Sequence, residues 1–289
     1  MRAGAVAFWL SLLPLLPLLP LLPLRRTLRL LPVLLLAAGA AEAQDARRPG
    51  SHFMSPPLQT LQRDLTQHPG QLSVAEGEAL WTRPAANGRR CADCHAAVPA
   101  VAANYPAALA AAAPGPAPQG AAHSSVTGAS AVRPLTLAAR IDACRQQHLQ
   151  QPAEGPDGPA VLALQALVSQ RSQGLPVRFD AALDAWAARG QSLWQQRFGQ
   201  LNLSCAQCHD ERAGQRLGGA AIPQAHPTGY PIYRLEWQGM GSLQRRLRGC
   251  LTGVRAEAFA PGADEWLALE AWLTKRAAGM AWEGVALRP

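Results

Sequence analysis

Residues 205–209 read Cys-Ala-Gln-Cys-His, and residues 91–95 read Cys-Ala-Asp-Cys-His. Both are Cys-x-x-Cys-His, the pattern of covalent haem attachment. Two thiols three positions apart reach the two vinyl groups of one haem and add across them as thioethers. The adjacent histidine then meets the iron from one side. The competing reading is zinc, since two Cys-x-x-Cys pairs supply four thiolates. Zinc does not require a histidine directly after each second cysteine, and both copies carry one. The motifs therefore predict two covalently bound haem c groups. Cys91, Cys94, Cys205 and Cys208 are the attachment points, and His95 and His209 the first axial ligands.

The flanks of the two motifs also match. "AEGEALWTRPAANGRRCADCH" aligns with "ARGQSLWQQRFGQLNLSCAQCH": a glycine, a tryptophan four residues on, then the motif. Further along, "LAARIDAC" (137–144) lines up without a gap against "LQRRLRGC" (243–250), so that Leu137/Leu243, Arg140/Arg246 and Cys144/Cys250 fall in register. The six cysteines are two sets of three, which reads as an internal duplication.

Each iron takes a sixth ligand or leaves the position open. Methionine is a common choice in electron-transfer cytochromes c, but the methionines here are only Met1, Met54, Met240 and Met280. None lies between His95 and the second motif. The first haem has Cys144, His123 or His148 within its half, and of these Cys144 alone has a counterpart in the second half. That counterpart is Cys250, with Met240 as competitor. A Cys144–Cys250 disulfide is the other reading, being the common fate of two spare thiols in an exported protein. Equivalent cysteines of two repeats tend to lie near different haems, which favours His/Cys ligation of both irons.

Arginines separate the two halves. Arg140 and Arg246 lie four residues before their cysteines, on one helical face with them, and either serves equally as a partner for a haem propionate. Asp142 accompanies Cys144, whereas Arg245, Arg248 and Arg255 accompany Cys250. Positive neighbours favour a thiolate and attract anions, and arginine clamps an oxyanion with two parallel hydrogen bonds. The plainer reading is a solvated basic helix face.

The 289 residues carry a formal charge of +8, nearly all from arginine, with Lys275 the only lysine. No basic block is interleaved with aromatics, so no nucleic-acid partner is expected. Arg25, Arg26 and Arg29 precede the apolar run "LLPVLLLAAGAAEA", and Ala41-Glu42-Ala43 fits a small-x-small cleavage site. Residues 1–43 therefore read as an export signal to the periplasm. Proline at every third position of "LLPLLPLLPLLPL" works against a spanning helix, with a retained anchor the alternative. Without the leader the charge is about +5.

Periodicity gives helices. Ser73 and Glu76 form a capping box opening "SVAEGEALWTR". Asp180 caps "DAALDAWAARGQSLWQQRFG", and "ADEWLALEAWLTKRAAG" carries Trp266, Leu269 and Leu273 on one face with Gly279 as C-cap. The Ala/Pro/Gly/Ser-rich stretch at 107–130 reads as a loop, and "QQPAEGPDGPA" as a break between halves. The expected fold is all-α: an extension at 44–72, a first cytochrome c domain at 73–160 and a second at 161–289, with long loops.

The two Cys-x-x-Cys-His sites, a later cysteine for each, and above all "YPIYRLEWQGMGSLQRRLRGC" resemble the dihaem SoxA family of the thiosulfate-oxidising Sox complex. The resemblance spans roughly residues 60–285 and leaves out the leader. It implies an L-cysteine S-thiosulfotransferase that couples thiosulfate oxidatively to a cysteine of a SoxYZ-like sulfur carrier, passing electrons to haem. It also implies a heterodimer with a SoxX-like monohaem cytochrome. Carried over, Cys250 is the active-site cysteine, found as a persulfide and as a haem ligand. Arg246 is the substrate-binding arginine, with Arg255 as a helper, and Cys144 ligates the first haem. Two rivals stand beside this reading: a dihaem thiosulfate dehydrogenase that joins two thiosulfates into tetrathionate, and a plain dihaem electron carrier.

Overall fold

The computed structural model describes residues 46–95 and 133–289, together with Val98 and the pair 110–111. The leader at 1–43, His123 and nearly all of the 107–130 stretch lie outside the described residues. Helices dominate: α1 Pro56–Arg63, α2 Gln71–Thr82, α3 Leu137–Leu149, α4 Pro159–Arg171, α5 Asp184–Gln195, α6 Cys205–His209, α7 Leu243–Gly253 and α8 Asp264–Ala277. No helix among the described residues is long and apolar enough to cross a membrane.

The all-α expectation needs one correction. Besides the short pairs β1 (Ala110–Ala111) with β2 (Pro134–Leu135) and β3 (Arg216–Leu217) with β4 (Ala220–Ala221), there is a three-stranded sheet. In it β5 (Ile232–Arg234) pairs antiparallel with β6 (Gly239–Gly241) and parallel with β7 (Ala286–Arg288). The extension at 48–63 packs onto this C-terminal strand. Gln62 accepts the Leu287 backbone N–H at 2.7 Å, and Glu283 takes Ser51 N–H at 3.2 Å.

Two helix pairs carry the core. α2 packs on α4 and α5 packs on α8. Glycine decides both crossings. A Cβ on Gly77 would overlap the carbonyl oxygen of Ala163, and one on Gly190 would overlap that of Ala268. Each glycine lies one turn before a buried tryptophan, Trp81 and Trp194. α4 is apolar on every side, so Val161 to Ser169 are all buried. Pro159 opens it, where a missing N–H costs nothing. Across the sequence boundary at 160/161, α4 joins the core of the first motif, with Leu164, Ala166 and Leu167 against Val74 and Trp81.

Two predicted helix starts are revised. α2 begins at Gln71, ahead of the Ser73/Glu76 box, because Gln71 and Leu72 N–H already bond His68 and Pro69 carbonyls at 3.0 and 3.3 Å. Glu76 pairs instead with Arg83 at 3.4 Å. Asp180 caps a single 3₁₀ turn, Ala181–Leu183, ahead of α5. α8 ends one residue before Ala278, and Gly279 takes the left-handed conformation (φ 83°) just beyond.

Candidate functional site

Both Cys-x-x-Cys-His motifs start from a capped turn. Ser204 accepts Gln207 N–H at 3.2 Å while Gln207 Oε1 accepts Ser204 N–H at 2.9 Å, a reciprocal box at the N-terminus of α6. In the first motif Asp93 plays the same part, accepting Arg90 N–H at 2.8 Å. The third residue of each motif thus reaches back to lock the turn that presents the cysteines. The histidines meet equivalent tryptophans: His95 lies 5.8 Å from Trp81 and His209 5.6 Å from Trp194, centroid to centroid.

His209 fits what an iron ligand requires. Its Nδ1 lies 2.7 Å from the Pro223 carbonyl oxygen, so Nδ1 holds the proton and Nε2 keeps a lone pair. Burial lowers its pKa, which keeps the ring neutral, as metal ligation requires. Asp210, next in sequence, accepts Trp194 Nε1–H at 2.7 Å and Arg276 at 2.7 Å, fixing the turn behind the imidazole. Arg276 in turn lies over Trp194, 4.8 Å from its centroid.

The spare thiols lie at different motifs. Cys144 lines one open cavity of about 730 Å³ with Cys91, Cys94 and His95, walled by Trp81, Ile141 and Leu164. A flat apolar macrocycle fits such a space, with two thiols and an imidazole at one side and a further thiol in the wall. His148 lines the same cavity one turn beyond Cys144. Cys250 accompanies the other motif. Cys205 is half-buried, and that burial, with Cys250 as the next cause, pushes its thiol up to about 12. All six cysteines are free thiols, so Cys144 and Cys250 form no disulfide. Met240, the competing ligand, packs against the Val74/Trp81/Leu164 cluster, which also takes in Cys91. Among the described residues no three His, Cys, Asp or Glu side chains gather into a bare-metal site, so the zinc reading finds no support.

The loop before the second motif is clamped to the end of α7. Gln200 and Leu201 N–H bond the carbonyls of Arg255 and Val254, each at 3.3 Å. Gly199, at φ 65°, has no room for a Cβ beside Val254 and Ala256. Arg255 thus holds Cys205 near Cys250 through its backbone, while its side chain is exposed.

The four arginines of α7 and its end have four different surroundings. Arg245 lies over Trp237, 4.3 Å from its centroid, and donates to Met240 O at 3.1 Å. Arg248 pairs with Asp157 at 3.3 Å. Arg246 is the one whose charge reaches His209, Tyr230 and Arg234. Arg234 and Tyr230 were passed over in the sequence, although both lie in its most distinctive stretch. Behind this site the N-terminal ends of α3 and α7 border a second cavity of about 720 Å³, which Tyr230, Gln165 and Glu270 also line.

An imidazole with its tautomer fixed beside a paired-thiol turn, on a short helix packed under a tryptophan, is how a c-type cytochrome holds haem. Comparison with known proteins narrows the class. Residues 189–282 match the family model "SoxA/TsdA, cytochrome c domain". The chain is 31% identical to the L-cysteine S-thiosulfotransferase subunit SoxA of Rhodovulum sulfidophilum, over 87% of this chain and 83% of that one. The SoxA of Pseudaminobacter salicylatoxidans is 31% identical over 82% and 79%. Among solved structures, SoxXA from P. pantotrophus superposes with a TM-score of 0.72 at 28% identity, covering 87% of this chain and 90% of that one. The chain belongs to the SoxA family.

Proposed function

We propose that this chain is the catalytic haem subunit of an L-cysteine S-thiosulfotransferase, working on thiosulfate and a cysteine of a SoxYZ-like carrier in the periplasm after loss of residues 1–43. Its partner is a small SoxX-like monohaem cytochrome. The observation that carries the reading is the placement of Cys250 against the second motif with Arg246 one turn away. It holds two haem c groups in duplicated halves. The matched glycine crossings, the matched histidine–tryptophan pairs and the shared cavity of Cys91 and Cys144 support that count. Cys144 would help hold the first haem and Cys250 the second.

The chemistry balances as two steps. The Cys250 thiolate and the terminal sulfur of thiosulfate join as Cys250–S–S–SO₃⁻, and two electrons leave. The carrier's thiolate then attacks the outer sulfur and departs as carrier–S–S–SO₃⁻, returning Cys250 as thiolate. When bound, haem supplies one-electron acceptance, so the pair leaves singly. Arg246 holds the sulfonate through the sequence.

The test is haem reduction by thiosulfate in the purified complex. With the carrier present, thiosulfate is consumed and the carrier gains the mass of S–SO₃; with the carrier cysteine replaced, turnover stops. Tetrathionate formed without carrier would overturn the reading in favour of the dehydrogenase. An unaffected Cys250→Ala variant would leave only an electron carrier. Intact mass with and without reductant reports haem count and any extra sulfur on Cys250.

A further inference from the structure

We infer that Arg234 is a second substrate-binding residue, joining Arg246 in holding the sulfonate. The inference rests on the thiosulfate reading above and deepens it.

Arg234 ends β5, in the hairpin that leads through β6 directly into the Ser242 cap of α7. Trp237 at the hairpin tip lies between two guanidinium groups, Arg234 at 5.1 Å and Arg245 at 4.3 Å from its centroid. Gly241 leaves the space that this ring fills: a Cβ there would sit 2.9 Å from Trp237 Cε3. The hairpin is thereby stapled to α7, and Arg234 is held in place before any ligand arrives.

Its environment is unusual for an arginine. The side chain is only 13% exposed, yet its Nε is buried with no hydrogen-bond partner. One Nη meets Glu236 at 2.5 Å, but that carboxylate is 64% exposed and well screened. Arg246 and Cys250 lie within electrostatic reach, as does Tyr230. Among the described residues Arg246 has no acidic partner of its own. Two guanidinium groups within electrostatic reach repel one another, and an anion bound by both relieves that repulsion. Thiosulfate carries two negative charges and three sulfonate oxygens, more than one arginine fork satisfies. Burial pushes the Tyr230 hydroxyl up to about 12, so it adds no charge beside the pair.

The experiment compares Arg234→Gln with wild type in the haem-loaded heterodimer with its carrier. Expected is a rise of about 10- to 100-fold in KM for thiosulfate, the scale of a lost charge-assisted hydrogen bond. kcat stays within about threefold, and haem content and midpoint potential do not move. An unchanged KM overturns the inference. So does a shifted potential or lost haem with KM unchanged, since Arg234 then serves a propionate instead. Glu236→Gln covers the case in which Arg234→Gln fails to fold. It keeps the arginine, removes its screened partner, and is expected to lower KM severalfold; no change there also refutes. If wild type neither binds nor consumes thiosulfate, the proposed function fails rather than Arg234.

Discussion

Gly190→Ala is the sharpest test of the packing that presents the second motif. The new methyl would overlap the Ala268 carbonyl oxygen and stand 2.6 Å from the Ala268 carbonyl carbon and 2.7 Å from Trp272 Cβ. None of these atoms can swing aside, because all belong to the backbone or first side-chain carbon of α8. Carbon atoms rest about 3.5–4 Å apart, so α5 and α8 must separate by roughly 1 Å. That loosens the contacts of Trp186 and Ala187 with Leu267 and Ala271. Overpacking costs 1–3 kcal/mol and sometimes more, and about 3 is expected here. For a domain of this size that is a fall of about 6–12 °C in Tm. The assay is thermal unfolding of the haem-loaded protein by far-ultraviolet circular dichroism. Gly253→Ala is the control, since nothing lies within 4 Å of its Cβ position at the end of α7. It should leave Tm unchanged or raise it slightly. Gly77→Ala should repeat the loss in the first half, against Ala163 and Leu167. A Gly190→Ala Tm within 2 °C of the control's would show that the two helices do not meet as described.

Glu270, on the cavity between α3 and α7, has its pKa raised to about 7 by burial, partly offset by Gln244 Nε2–H at 2.7 Å. Because the folded state holds the proton more tightly than the unfolded chain, stability falls as pH rises from about 4.5 to 7, and screening at this half-buried carboxyl keeps the loss to about 1–3 kcal/mol. Urea titrations at pH 5 and 8 should show that slope in wild type and not in Glu270→Gln; equal slopes would refute it. Ser242 and Thr136 cap α7 and α3 at equivalent positions, accepting Arg245 and Ala139 N–H at 3.1 Å each. Alanine at either should cost about 1 kcal/mol in denaturant unfolding, and no change in midpoint at both would refute the caps.

Much of the fold was legible because its signals are local. The Cys-x-x-Cys-His spacing, the Gly-to-Trp interval and the apolar stripes of α5 and α8 each span less than two dozen residues, and each is realised in place. β5 was not legible. Three residues carry no period, and one of their two pairings is with Ala286–Arg288, more than fifty positions away. The start of α2 was misplaced for a related reason. Ser73 and Glu76 form a valid box in sequence, but the backbone carbonyls of His68 and Pro69 reach the first N–H groups sooner.

The arginine cluster around Cys250 looked like the feature that marks the second site, and the structure divides it. On a helix of 3.6 residues per turn, Arg246 and Cys250 share a face, while Arg245 and Arg248 share another about 150° away. The equivalents of that second face explain its charge. Asp142 stands where Arg248 does in the other repeat, and it accepts Glu154 and Gly155 N–H at 3.1 and 3.0 Å. Arg248 reaches Asp157 of the same connecting segment, and Asp157 also takes Ser242 N–H at 3.0 Å. Opposite charges at equivalent positions thus hold one linker from its two ends, and Arg248 belongs to that clamp rather than to substrate. Arg245 belongs to the Trp237 stack. The positive charge left to act on an anion at Cys250 is Arg246, which the helical spacing identifies, and Arg234, which only the hairpin's tertiary placement brings in.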